Sequence, residues 1–279
     1  MKPTDSIYIH IRRNLTGRYP FLISIPHGGI NIPNEVKDCI TLASADILRY
    51  SDPWSRSLFD YRDRVGAVLD TDISRMIVDL NRPPYALPPR HHDGVVKFFT
   101  PDGNPVYHEN AFPDITSIHR ILMEHYFPYH AKIDQILLKR KLRIGFDCHS
   151  MLPIGLPGQK DAGKSRPLIC LGNNGDREGR PKKGRLATCP AEWMQRLAAT
   201  FQEVFSLNTE VTINDPFSGG FITNAHYWHT GIPFIQLEIN RSLYELHYSR
   251  ELGITEDRIE MLRNRIWQAL SLFWDEIQK

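Results

Sequence analysis

Two short apolar runs of the sequence each end in a histidine among polar residues. One is FLISIPHGG, residues 21–29, and the other is RIGFDCHS, residues 143–150. Continuous apolar runs of this length are typical of buried strands. Because ligands collect at the carboxyl ends of parallel strands, we expect His27 and His149 to lie close together. Their imidazoles are then candidate ligands of one metal ion.

The alternative is that both histidines are ordinary core residues. A single histidine after a strand usually is one, but two at matching strand ends favour ligation. A hydrolytic zinc site needs three protein ligands and an open position for water. Asp52 and Glu35 are the candidates for the third ligand, and the residue pattern does not choose between them. Asp147 is placed either to orient His149 or simply to line the strand.

A carboxylate closes another apolar run, PFIQLE, at residues 233–238. Burying Glu238 is costly unless the carboxylate is paired or takes part in catalysis. Two roles fit this position. Glu238 is either the general base of a hydrolase, facing the cleft from a strand end, or the ion-pair partner of Arg241.

Two arginines bracket the apolar run MIVDL, residues 76–80. Arg75 precedes the run, and Arg82 follows it after Asn81. An arginine at a strand end suits two-pronged capture of a carboxylate. The alternative for Arg82 is an ordinary ion pair with Asp79.

The apolar runs also indicate the fold. They predict six strands, at residues 21–25, 76–80, 143–147, 168–172, 210–214 and 233–238. Helical periodicity predicts helices over 43–65 with a break near Pro53, over 115–140 with a kink at Pro128, over 190–205, and from Thr255 to 277. Strands that alternate with helices predict an α/β fold, with a mixed, mainly parallel central sheet flanked by helices.

No linker or internal repeat divides the 279 residues, and we predict a single domain over residues 1–279. Two stretches, at about 83–114 and 153–190, are rich in proline, glycine and polar residues and predict long loops. Loops of this length in a compact domain are commonly functional.

The composition excludes several classes of protein. A net charge of +2, from 34 basic and 32 acidic residues without a long basic block, gives no reason to expect a nucleic-acid partner. No run approaches the roughly 20 apolar residues that span a bilayer, and the N-terminus lacks a signal-peptide core. The four cysteines form no CxxC pair. These features predict a cytoplasmic protein with reduced thiols and no membrane partner. They do not set its oligomeric state.

Two other groups are weaker candidates for chemistry. His226 and His229 are three residues apart and would share a helical face, but no carboxylate is spaced with them, so we do not expect a second metal site. Cys148 and Ser150 flank His149, yet no nucleophile-elbow pattern surrounds the serine. A covalent mechanism is therefore not favoured.

Five motifs in order carry a family resemblance. They are SIPHGGINIP, DISRMIVDLNRPP, FDCHSM, PFSGGFIT and PFIQLEINRSLY, spread over about residues 21–250. Together they resemble the N-formylglutamate amidohydrolase family. The resemblance implies a phosphorylase/hydrolase-like sheet similar to that of zinc carboxypeptidases. It also implies a zinc-dependent amidohydrolase of histidine degradation, which cleaves N-formyl-L-glutamate to formate and L-glutamate.

The resemblance also implies roles for individual residues. One Zn²⁺ would be held by His27, Asp52 and His149, so that Asp52 is preferred to Glu35. Glu238 would take a proton from water and deliver it to the leaving amine. The resemblance places Arg82 at a substrate carboxylate. Beyond the resemblance, we expect Arg75 to stabilise the oxyanion, and Asn81, Ser150, Thr223 and Arg241 to contact the substrate, a small N-acyl amino acid.

Residues after the FDCHS motif depart from the family pattern. Met151, Leu152 and Pro153 stand where the formylglutamate enzymes have an arginine close by. Two alternatives therefore stay open. One is a zinc peptidase or amidase for a larger γ-glutamyl or cell-wall-type amide, which would need an open groove. The other is a non-catalytic binding protein on the same scaffold, which would not need the metal.

Overall fold

A seven-stranded sheet forms the centre of the protein. The computed structural model describes residues 9–13, 19–139, 141–245 and 256–279. Within these residues the strands are β1 (Ile9–Arg13), β2 (Tyr19–Ile25), β3 (Val65–Thr71), β4 (Ile144–Met151), β5 (Ile169–Gly172), β6 (Val211–Ile213) and β7 (Phe234–Asn240). Their order across the sheet is β1-β3-β2-β4-β7-β5-β6.

The middle of the sheet is parallel. β2 pairs in parallel with β3 and β4, and β4 pairs in parallel with β7. β1 and β5 add antiparallel neighbours, and β6 lies parallel to β5. The carboxyl ends of β2, β4 and β7 therefore lie at one edge. The register places Ser24 beside Asp147 and His149 beside Glu238.

Eight α-helices are found in the described residues, together with a π-helical turn over Leu122–Tyr126 and a 3₁₀ turn over Arg241–Leu243. The helices are α1 (Asn34–Lys37), α2 (Ser44–Tyr50), α3 (Ser55–Leu58), α4 (Ile115–Ile121), α5 (Phe127–Lys139), α6 (Ala191–Phe205), α7 (Phe221–Thr230) and α8 (Glu256–Ile277).

Helices cover both faces of the sheet. On one face, α6 and α8 bury Phe201 and Phe273 in a core that includes Phe21. On the other face, α5 buries Ile133 in a second core that includes Leu22. Phe21 and Leu22 reach opposite cores because side chains alternate along a strand. Full burial of each such side chain is worth about 1.5–3 kcal/mol, so both helical layers hold the sheet in place.

The mixed sheet with flanking helices confirms the predicted fold class. The break near Pro53 is also confirmed, because α2 ends at Tyr50 and α3 begins at Ser55. Residues 83–114, all of which the structure describes, contribute neither a helix nor a sheet strand. Residues 153–190 contribute only β5 to the sheet.

The predicted strand over residues 76–80 is wrong. This segment is a buried turn, in which the backbone N–H groups of Ile77 and Val78 donate to the carbonyl of Ser74. The neighbour of β2 on the side away from β4 is instead β3. Of the residues of β3, only Val65 falls within the helical segment predicted over 43–65. An apolar run indicates that a segment is buried. Here the segment is buried without pairing to another strand.

The helical segment predicted over residues 115–140 contains an irregularity other than the expected kink. The π-helical turn over Leu122–Tyr126 precedes Pro128, which lies in the first turn of α5. Proline is tolerated in the first turn of a helix, because the N–H that it lacks would have no partner within the helix there. Thr255, the first residue of the last predicted helix, lies outside the described residues. No helix in the described part of the chain combines the length and the apolar character that crossing a bilayer requires.

Gly145 offers a test of this packing, because it lies in β4 directly opposite Phe234 of β7. A Cβ atom at Gly145 would lie inside van der Waals contact of the Phe234 ring. We expect Gly145→Ala to lower the free energy of unfolding by about 1–3 kcal/mol, as overpacking a filled core does. Urea denaturation measures this, and a loss below about 0.5 kcal/mol would contradict the packing described here.

Candidate active site

Three of the predicted ligands converge at the carboxyl edge of the sheet. His27 follows β2, His149 lies in β4, and Asp52 lies between α2 and α3. Asp52 Oδ2 is 3.0 Å from Nδ1 of His149 and 3.7 Å from Nδ1 of His27. One ligand atom from each residue lies within 4.8 Å of the others, and all three side chains are buried. Glu35, the alternative ligand, is exposed and lies outside this group.

The local backbone explains how Asp52 reaches the histidines. The N–H of Asp52 donates to the carbonyl of His27 at 2.9 Å, which ties the two segments together. Ser55 Oγ donates to the carbonyl of Asp52 at 2.7 Å. Gly29 lets the turn after β2 pass close to the backbone of Asp72, where a Cβ atom would clash. A residue with a side chain would not fit at position 29, which explains the glycine there.

Two further carboxylates fix the orientation of the imidazoles. Nε2 of His27 lies 2.8 Å from Asp79 Oδ1, and Nε2 of His149 lies 3.0 Å from Asp147 Oδ2. Each of these carboxylates accepts from Nε2 of the ring that it contacts, so Nδ1 of both rings lies on the side of Asp52. Metal-binding histidines are commonly held in this way. Of the two options for Asp147, the structure shows the orienting contact.

The electrostatics of this group favour a positive charge. Burial opposes the ionised form of Asp52, but the facing imidazoles of His149 and His27 lower the pKa of the carboxyl below its usual value. Burial also opposes protonation of His149, yet the charge of Asp147 raises its pKa well above the usual value. Within the described residues, Nδ1 of His27 is buried and makes no hydrogen bond. A cation held between the three side chains would supply that missing partner.

Asp79 is the most heavily engaged carboxylate of the site. Its Oδ1 accepts from His27, and its Oδ2 accepts from Lys97 Nζ at 2.7 Å and from Arg75 at 2.9 Å. Burial opposes ionisation, but the charges of Arg75 and Lys97 hold the pKa of Asp79 well below its usual value. The suggested ion pair between Asp79 and Arg82 is not the contact made, since Arg82 pairs with Asp93.

The sequence did not predict that Lys97 belongs to the site, nor that Asp79 orients His27. Lys97 lies in the apolar stretch VVKFF within the predicted loop, and only 2% of its side chain is exposed. A lysine inside an apolar run is the signal that could have revealed it, because a buried lysine needs acidic partners. Asp79 gave no comparable signal, since the strand prediction for 76–80 obscured which way its side chain points.

Glu238 lies one strand away from the metal-ligand candidates. It is the register partner of His149, and Gln236 Nε2 donates to Glu238 Oε1 at 2.8 Å. Arg241 is not its ion-pair partner, because the guanidinium of Arg241 binds Glu245 at 2.6 Å. Burial raises the pKa of Glu238 to about 7, although the charges of His149 and Arg75 oppose the shift. A carboxyl of this kind exchanges protons near neutral pH.

These side chains share one cavity of about 330 Å³. Its size is at the lower end of small-ligand pockets, which hold roughly 300–1,000 Å³. Of the predicted site residues, the lining includes His27, Asp52, Arg75, Asn81, Arg82, His149, Ser150, Glu238 and Arg241. Thr223 does not line it, because its hydroxyl exchanges hydrogen bonds with the backbone of Gly220 at the start of α7.

Two predicted substrate ligands are already engaged within the protein. The Asn81 carboxamide donates to Asp147 at 3.0 Å and accepts from the N–H of Ile222 at 2.9 Å. The Arg241 guanidinium binds Glu245 and also donates to the carbonyl of Arg49 at 2.8 Å. Substrate contacts by these two residues stay predictions.

The other histidine cluster has an acid partner that sequence spacing did not show. Asp134 of α5 lies 2.6 Å from Nδ1 of His226 and 3.0 Å from Nδ1 of His229. Nε2 of His226 is 2.9 Å from His130. Their ligand atoms do not converge as those at His27 do, since that group alone meets the metal-site geometry among the described residues. Burial raises the pKa of the Cys148 thiol, which does not suit a nucleophile.

Comparisons with known proteins point to one family. A sequence model of the N-formylglutamate amidohydrolase family matches residues 19–245. The chain is 30% identical over 240 residues to the N-formylglutamate deformylase of Pseudomonas aeruginosa, covering 82% of this chain and 83% of that one. The deformylase of Pseudomonas putida matches at 30%, covering 82% of each chain.

A solved structure has the same overall fold. The N-formylglutamate amidohydrolase from Ralstonia eutropha superposes with a TM-score of 0.73, covering 95% of this chain and 97% of that one at 18% identity. With the family match over most of the chain, the conclusion is direct: this protein belongs to the N-formylglutamate amidohydrolase family.

Proposed function

We propose that this protein hydrolyses the amide bond of a small N-acyl amino acid, with N-formyl-L-glutamate giving formate and L-glutamate. The observation that carries the proposal is the buried group of His27, Asp52 and His149, with Glu238 beside it in one small cavity. The relatives named above carry the name of this activity. A cavity of about 330 Å³ suits a small substrate better than a polymer.

We infer that the three-residue group holds one zinc ion. Two imidazole nitrogens and one carboxylate oxygen are ligands that Zn²⁺ accepts, and three protein ligands leave a position open. The unpartnered Nδ1 of His27 and the buried carboxylates around it support this inference. When bound, such an ion acidifies water and polarises a carbonyl oxygen.

Glu238 is the general base and then the general acid in this proposal. Its carboxylate takes a proton from the water that adds to the formyl carbon. The carbon–nitrogen bond then breaks, and the same proton goes to the leaving nitrogen of glutamate. Gln236 orients the carboxylate through its hydrogen bond to Oε1. A pKa of about 7 allows both steps near neutral pH.

The arginines of the cavity supply positive charge in the proposal. Arg75, which binds Asp79 at 2.9 Å, stabilises the oxyanion. Arg82 and Arg241 provide charge for the substrate carboxylates, and Ser150 lines the same cavity. Asn81, which also lines the cavity, and Thr223, which does not, would act through the contacts that fix the start of α7.

Glu238→Gln tests the catalytic role. The amide keeps the shape of the side chain but cannot carry the proton, so kcat should fall about 10²–10⁴-fold while zinc content is unchanged. A formate-release assay and metal analysis of the same sample measure the two quantities. Glu192→Gln, on the exposed side of α6, is the control that keeps full activity. Full activity in Glu238→Gln would remove this residue from the mechanism.

Metal content tests the choice between Asp52 and Glu35. After dialysis against micromolar zinc, wild-type protein and Glu35→Gln should hold one equivalent, because Glu35 lies on the surface. Asp52→Ala should lose most of its zinc, since one of three protein ligands is gone. Circular dichroism checks that each variant is folded. Equal zinc in Asp52→Ala and wild type would refute the proposed ligand set.

Asp79→Asn tests the support of His27. The amide can present its NH₂ to Nε2 and so favours the wrong tautomer, and losing such a partner typically weakens metal binding about 10–100-fold. Competition with a fluorescent chelator gives the zinc affinity. Asp134→Asn is the matched control, because Asp134 holds the buried His226 in the same manner outside the cavity. An equal effect of both variants would point to general destabilisation.

A further inference from the structure

A carboxylate of the protein itself binds two cationic groups of the cavity. Asp93 Oδ2 lies 2.8 Å from Arg82 Nη2, and Arg82 Nε donates to the Asp93 carbonyl at 3.1 Å. Lys97 Nζ donates to the other carboxylate oxygen, Oδ1. Arg82, Asp93 and Lys97 all line the cavity. Asp93 therefore occupies the kind of position that the carboxylate of a bound ligand would take.

The three members of this cluster differ in exposure. The Lys97 side chain is 2% exposed and keeps a second acid partner, Asp79, whatever Asp93 does. The side chains of Arg82 and Asp93 are 34% and 64% exposed. In the part of the chain that the structure describes, Asp93 is the acid with which Arg82 forms an ion pair. Asp93 is thus the member that can turn into water at the smallest cost, because its charge is already partly hydrated.

The backbone next to Asp93 is fixed independently of its side chain. Val95 donates to the carbonyl of Ala86 at 2.8 Å, and the carbonyl of Val95 accepts from the N–H of Asp79 at 2.8 Å. Gly94 packs so closely against the Ala86 carbonyl that a Cβ atom would clash. Lys97 therefore keeps its place beside Asp79 when the Asp93 side chain swings away.

We propose that Arg82 and Lys97 form the subsite for one carboxylate of the substrate, and that Asp93 competes for this subsite and sets the specificity for anionic substrates. The inference rests on the proposed function for the identity of the ligand. A substrate carboxylate replaces the Asp93 carboxylate and leaves both cations paired. An uncharged group that displaced Asp93 would leave Arg82 without its anion and Lys97 with Asp79 alone, at the cost of unmatched polar groups.

A second ion pair at the cavity supplies a matched control. Arg49 lies 3.0 Å from Asp102, and its side chain is 52% exposed. Arg49 lines the same cavity, but within the described residues Asp102 forms no ion pair with a buried lysine, as Asp93 does. Asp102→Asn removes the same charge as Asp93→Asn from a side chain that is 19% rather than 64% exposed, so it reports the general electrostatic field of the cavity.

The experiment measures binding of glutarate, a dicarboxylate without an amide bond, to the zinc-loaded protein by calorimetry. Asp93→Asn should bind glutarate about tenfold more tightly than wild type, which corresponds to about 1.4 kcal/mol of binding free energy. Asp102→Asn should bind it as wild type does. Arg82→Gln should weaken binding, and adding Asp93→Asn to Arg82→Gln should give no gain. The uncharged analogue glutaramide should gain nothing from Asp93→Asn.

Two results would overturn the proposal. One is unchanged or weaker glutarate binding in both Asp93→Asn and Asp93→Ala, with melting temperatures near that of wild type. The other is an equal gain in Asp102→Asn. Failure of the proposed function is a separate outcome, recognised when wild-type protein releases no formate from N-formyl-L-glutamate. The glutarate measurement involves no turnover and decides the subsite in either case.

Discussion

Buried negative charge is the constraint on which the site depends. Asp52, Asp79 and Asp147 are all nearly or fully buried at the cavity or next to it, and a buried carboxylate must be matched by positive charge or hydrogen bonds. Asp79 is matched by Arg75 and Lys97. Asp147 and Asp52 are matched through imidazoles, which leaves the space between His27, Asp52 and His149 as the place where a further positive charge is most favourable.

The parallel centre of the sheet is what brings these groups together. β2 and β4 are neighbours, so the histidine that follows β2 meets the histidine near the carboxyl end of β4, with ring centroids 4.7 Å apart. β7 adds Glu238 on the next strand. Asp79 reaches the same place from a turn rather than a strand, held by its N–H bond to the carbonyl of Val95. The sheet thus positions the reacting groups, and the loops position their charge partners.

This division explains how far the sequence could predict the site. His27, His149 and Glu238 follow or end apolar runs, and such runs signal strand ends directly. The strand prediction for residues 76–80 failed because an apolar run indicates that a segment is buried, but not which groups its backbone bonds to. Lys97 acts from a loop whose path depends on long-range contacts. Asp134 meets His226 across 92 residues, a pairing that local spacing cannot reveal.

The cationic side chains of the cavity are already paired with acids of the protein, and this pairing affects which substrates can bind. Arg49, Arg75, Arg82, Lys97, Arg166 and Arg241 line the cavity, and each contacts an acid of the protein. An incoming dianion therefore finds each of these six side chains already paired, and its affinity for them depends on which internal pairs it can exchange. Buried pairs such as Arg166 with Asp161 resist exchange, because breaking them leaves a charge without water. The exposed partner, Asp93, gives way first, so the exposure of the acids decides where a substrate carboxylate binds.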